Sequence, residues 1–223
     1  MRKWEKAVII ALALAVFSSL GWSEDRDKNI DPAVYLSPPA SYSRIGKSLV
    51  IRYEGALKEL ALKINEQIPS ERFELFTSDQ APMGGVGFWI NPGLFIPEAR
   101  FLGVCARVNI KLTYFPDTQW GRLNDALDAF GKDLLRIMGE ELKMIPDGAV
   151  KGVVLVLIYS KAELSDPHYY EQAEATVIFI PREVLEKFNN FQLTYAKLFD
   201  RSVMYYFQGA RQIEVLLNEF IRG

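Results

Sequence analysis

Between Phe101 and Phe115 the chain alternates. Leu102, Val104, Ala106, Val108, Ile110, Leu112 and Tyr114 are separated by Gly103, Cys105, Arg107, Asn109, Lys111 and Thr113. A strict period of two over this length predicts a long strand with one buried and one more polar face, Cys105 lying on the polar side. The helical period appears twice upstream and downstream of it. Leu57, Leu60, Ala61, Ile64 and Ile68 fall on one helix face, with Lys58, Glu59, Lys63 and Glu66 elsewhere and Pro69 as the stop. Leu123, Leu127, Phe130, Leu134, Ile137 and Met138 form a second stripe that runs to Leu142, with Asp117 or Thr118 placed to cap its start.

Val153 to Tyr159 is an almost unbroken apolar run, as expected of a strand inside a sheet. With the alternating strand and the helix before it, it makes a strand–helix–strand unit, whose crossover is right-handed if both strands share a sheet. Further strands are predicted at Ser48–Tyr53, Arg72–Thr77 and Ala175–Ile180, and a short helix from Pro181 to Phe188. Ala196, Phe199, Val203, Tyr206, Ala210, Ile213, Leu217 and Phe220 recur every three or four residues, which predicts one long C-terminal helix from about Phe191 to Ile221. The fold class is therefore α+β, a mixed β-sheet with helices packed on one face and a long C-terminal helix. The seam of that helix can pack on its own sheet or meet a partner helix in a homodimer.

The ends of the chain change the picture more than its composition does. Arg2, Lys3 and Lys6 precede an uncharged run from Ala7 to Leu20, and Gly21-Trp22-Ser23 then offers small residues before the charged Glu24-Asp25-Arg26-Asp27. This is the layout of a secretory signal peptide over residues 1–23. The apolar run is shorter than the roughly 20 residues a spanning helix needs, so cleavage is expected over an inner-membrane anchor. Export to a periplasmic or extracellular space follows. Residues 24–44 carry Pro32, Pro38 and Pro39 among polar residues and read as an extended linker or arm, leaving 45–223 as a single domain. Cys105 is the one cysteine, so no internal disulfide can staple the fold.

Charge excludes one class of partner. The leader carries a net +2, and taking that from the chain's −2 leaves about −4 on the exported part. An acidic chain without basic blocks is a poor nucleic-acid binder, because phosphate neutralisation supplies most of that affinity. Catalytic motifs are also missing. His168 is the one histidine, there is no Gly-x-Ser-x-Gly elbow, and Gly84-Gly85-Val86-Gly87 lacks both the P-loop ending and the full dinucleotide pattern. Asp166, His168, Glu171 and Glu174 could be drawn around a metal, but a solvated loop explains them as well. No cofactor and no metal are expected.

One segment departs from an ordinary domain. From Pro82 to Pro97 the chain is uncharged and holds Phe88-Trp89-Ile90 and Leu94-Phe95-Ile96 around Asn91-Pro92-Gly93, residues suited to a type II turn. A hairpin folded there would be apolar on both faces, to be covered by the domain or offered to something else. Phe88, Trp89, Ile90, Leu94 and Phe95 are accordingly the candidate binding residues. The expectation is an exported cell-envelope protein of non-enzymatic binding or assembly type, its partner an envelope protein or a membrane surface. The alternatives are an exported enzyme whose acidic site is assembled only in the fold, and a small-molecule carrier using the aromatic segment as a pocket wall.

Overall fold

The computed structural model describes residues 30–37, 43–68, 71–80, 84–90, 99–110, 119–169, 173–208 and 212–216. Seven strands among them form one mixed sheet: β1 (Phe73–Leu75), β2 (Val86–Trp89), β3 (Arg100–Asn109), β4 (Val150–Ser160), β5 (Glu174–Pro181), β6 (Val203–Gln208) and β7 (Gln212–Leu216). The order is β1-β3-β4-β5-β6-β7, and β2 shares with β1 the outer flank of β3. Only β3 and β4 run parallel; every other pair is antiparallel. The parallel pair is joined through α3 (Gln119–Ala126), a π-helical turn at Leu127–Gly131, and α4 (Lys132–Lys143). The strand–helix–strand unit read from the sequence is therefore present.

The other helices are α1 (Arg44–Arg52), α2 (Glu54–Gln67), α5 (Arg182–Asn189) and α6 (Tyr195–Phe199). Every buried apolar side chain that the described helices contribute joins one cluster with Val104, Val108, Val153, Leu155, Ile178, Ile180, Met204 and Tyr206 of the sheet. The opposite sheet face carries a second cluster, in which Phe101, Cys105, Val154, Val156, Ile158, Phe179, Tyr205 and Phe207 meet Phe76, Trp89 and Tyr169.

Three expectations are corrected. Ser48–Tyr53 is not a strand. Ser43 caps α1 by accepting the Gly46 N–H at 3.4 Å, and Gly46, Leu49 and Val50, spaced by three and one, turn inward as a helix face. The alternating strand is buried on both faces. Gly103 lies under the Trp89 indole, Arg107 is neutralised by Glu74 across the β1–β3 pair, and the Asn109 amide donates to the Lys161 and Ala162 carbonyls at 3.1 and 2.7 Å. Small or satisfied side chains let a polar-looking face be covered.

The long C-terminal helix is also not found among the described residues. Among the described residues the longest helical stretch is mid-chain, and from Phe191 the chain runs through a loop and the short α6 and then pairs β6 with β7 as antiparallel strands. Val203-Met204-Tyr205-Tyr206-Phe207 is β-branched and aromatic, which suits a strand. Its Met204 and Tyr206 face the helices while Tyr205 and Phe207 face the second cluster. The proposed dimer seam is thus not a helix surface. Within the expected arm, Pro32–Tyr35 forms one turn of 3-10 helix, and Tyr35, Leu36 and Ser37 are buried, Leu36 bridging to Gly84 and Val86.

Candidate functional site

The segment singled out by the sequence is rooted on both faces of the sheet. Phe88, 1% exposed, points into the helical cluster and meets Tyr53 edge-on, with ring centroids 6.3 Å apart. Trp89, 2% exposed, points the other way and lies flat on Gly103, where an added Cβ would come within 2.8 Å of the indole. Trp89 is also in register with Phe101. Its indole N–H has no hydrogen-bond acceptor among the described residues. Ile90 follows at the strand end and is 41% exposed. Leu94 and Phe95 lie outside the described residues, as does the turn at 91–93. Of the five candidates, two are core, one is presented to solvent, and the pairing partner of β2 is β3.

One buried polar group among the described residues was not visible in the sequence. Arg122 on α3 grips Glu174 at the start of β5 through two parallel hydrogen bonds, Nε to Oε2 at 2.8 Å and Nη2 to Oε1. Glu174 is buried, and Tyr159 lies opposite it in the β4–β5 register. The Tyr159 hydroxyl is 3.2 Å from that of Thr176, and Thr176 is paired with Tyr206. Burial holds the Tyr159 and Tyr206 phenols far above their usual range, with the Glu174 charge adding to both. These phenols stay protonated at neutral pH, so they are hydrogen-bonding groups and not bases. Arg122 and Glu174 are 52 residues apart, which no local motif could reveal.

Other titratable groups are equally committed. Desolvation drives the Cys105 thiol far above its usual range, which leaves it a poor nucleophile. Asp125 is pushed upward by partial burial, against the opposing charge of Arg72. His168 is exposed on its loop, where its backbone N–H donates to the Asp166 carboxylate at 2.8 Å. No group of three or more His, Cys, Asp and Glu among the described residues could hold a metal ion. An open depression of about 360 Å³ is lined by Pro146, Asp147, Gly148, Val150, Lys151 and Arg182.

One loop residue is unusual. After α5 the backbone closes with the Gln192 N–H on the Lys187 carbonyl at 2.8 Å and the Phe191 N–H on the Phe188 carbonyl at 2.9 Å. This is a Schellman closure, whose left-handed position normally holds glycine or asparagine. Here it holds Phe191, at φ 59° and 97% exposed.

No protein-family model matches the chain, and neither the curated proteins nor the solved structures contain a match to it. Among the described residues no helix is long and apolar enough to cross a membrane.

Proposed function

We propose that this is an exported cell-envelope protein that acts by binding or assembly, with the segment around 82–97 as its contact. The observation that carries this reading is the disposition of β2. Phe88 and Trp89 are anchored on opposite sheet faces, and Ile90 emerges from that rigid base 41% exposed at the head of an uncharged apolar stretch. An apolar residue held out by two buried aromatic roots is a preorganised contact, which loses little entropy when a partner covers it. The export leader supports the compartment. The locked state of Glu174, Cys105 and the buried tyrosines weighs for binding over acid–base chemistry.

The test is the combined substitution Ile90→Ser, Leu94→Ser and Phe95→Ser, leaving Phe88 and Trp89 intact. Association with envelope vesicles or with an envelope extract is measured beside the melting temperature. Lost association at an unchanged melting temperature supports the reading. A large fall in melting temperature means that the segment packs on its own domain and is no contact.

A further inference from the structure

The helix that joins β3 to β4 changes register partway along. Gln119–Ala126 and Lys132–Lys143 are α-helical, and Leu127–Gly131 between them is one π-helical turn. Ala126, Gly131 and Lys132 keep α-helical backbone angles, so the turn is a bulge in a continuous helix and not a break. A π turn holds one residue more than an α turn, and such bulges recur at functional sites.

The extra residue decides which side chain faces the sheet. The stripe Leu123, Leu127, Phe130, Leu134, Ile137 and Met138 is that of an unbroken α-helix. At about 100° per residue, such a helix puts Leu123 about 20° from Leu134 and leaves Arg122 about 120° away, on the flank. One inserted residue turns everything before the bulge by about 100°. Arg122 then comes within about 20° of Leu134, Ala126 turns inward with it, and Leu123 moves to the side. The structure has this second arrangement: Ala126 is fully buried, and the Arg122 guanidinium grips buried Glu174. One sequence therefore fits two registers, and the ion pair exists in only one of them.

A second lock holds the same register. The Tyr195 hydroxyl donates to the carbonyl of Leu127, the first residue of the bulge, at 2.8 Å. Gly131, the last, leaves room for it, since a Cβ there would come within 2.5 Å of that oxygen. The ring is fixed in turn, its centroid 4.6 Å from that of Phe199 and 4.8 Å from the Lys132 ammonium. Leu198 and Phe199, both buried, bind α6 to the core and hold the tyrosine in place.

We propose that the crossover helix is a two-register element, with Tyr195 and the Arg122–Glu174 pair as twin locks on the π register. Releasing both lets the bulge anneal into an unbroken α-helix, which carries Arg122 to the flank and Leu123 to the sheet. A shift of this kind is bistable, not gradual. It couples α6 to the start of β5 through the helix between them, and it does not depend on the segment 82–97. Either lock alone suffices, so Tyr195→Phe by itself loosens only the turn.

The reporter for the test is Arg122→Cys with Glu174→Gln. It removes one lock, leaves no bare carboxylate and puts a thiol where Arg122 points inward, while native Cys105 is buried. Maleimide labelling of the folded reporter should be slow. Adding Tyr195→Phe should speed it by roughly tenfold or more as position 122 swings out. Deleting exposed Ala129 as well should make it slow again, because the helix is then unbroken with position 122 already inward. Equal labelling with and without Tyr195→Phe overturns the proposal. So does fast labelling that survives the deletion, which would report loosening and not register. A second measurement needs no reporter. In the otherwise native chain, deleting Ala129 should move the melting temperature by no more than about 3 °C, since it only closes the bulge. Deleting exposed Arg136 turns part of α4 off the core and should lower it by roughly 10 °C or more. Equal losses from the two deletions overturn the proposal.

Discussion

At the scale of single residues, burial decides the chemistry. Cys105 sits on the second sheet face among Trp89, Phe101 and Val156, and desolvation disfavours its thiolate. Native protein should therefore be unreactive toward maleimide, and labelling should appear only with unfolding. The sign of the pH effect follows from the same cause. The folded thiol keeps its proton while the unfolded one loses it near its ordinary value of about 8.5, so stability is full below that pH and declines above it. Tyr159, Tyr195 and Tyr206, all raised, add to the decline once the unfolded phenols ionise near about 10. Denaturant midpoints measured between neutral and alkaline pH should fall, and Cys105→Val should remove the part that begins first. A midpoint rising with pH would contradict the burial of these groups. Trp89→Ser should cost about 3–5 kcal/mol, because it empties the space above Gly103.

At the scale of elements, a few long-range bonds hold helices to the sheet. The Arg182 guanidinium donates to the carbonyls of Leu142, Ile145 and Val150 at 3.1, 2.8 and 3.2 Å, satisfying acceptors where α4 ends. Tyr195 reaches back to the π-turn, where its hydroxyl donates to the Leu127 carbonyl at 2.8 Å and fills the space beside Gly131. Tyr195→Phe should lose about 1 kcal/mol and speed amide exchange over 127–132 selectively. Uniform exchange across the chain would mean that the hydroxyl does not stabilise the turn. The Arg122–Glu174 pair ties α3 to β5 more strongly. Glu174→Gln leaves a partly buried guanidinium without its countercharge and should cost about 2–3 kcal/mol, whereas replacing both partners by apolar residues should cost much less. A double-mutant cycle in urea measures the difference.

At the scale of the whole molecule, the parallel β3–β4 pair lies between two apolar layers, and the edges of the sheet are formed by β1 with β2 and by β7. Native-state hydrogen exchange should be slowest in β3, β4 and β5 and faster toward β7, because central strands open only with the global transition. If residues 1–23 act as the cleaved leader that is proposed, mass spectrometry of the mature protein should find an N-terminus between about Gly21 and Asp25. An intact Met1 in membrane fractions would identify an anchor.

The sequence by itself determined the elements whose periodicity belongs to one structure only: α2, the helical crossover, β3, β4 and β5, and hence the strand–helix–strand unit. Those patterns are local, each repeated over two turns or more of helix or a full strand length. It also placed Phe88, Trp89 and Ile90 in an unusual segment without showing which were rooted and which presented. Tertiary structure decided the rest. Val203–Phe207 is apolar at every position, so it fits a helical seam and a doubly buried strand alike; only the place waiting beside β5, with a hydrophobic layer on each side, selects the strand. The Arg122–Glu174 grip and the covering of Cys105 depend on residues distant in the chain. Phe191 shows the same division, since its neighbours mark a helix end, but a phenylalanine in a glycine's conformation exists only where the folded backbone imposes it.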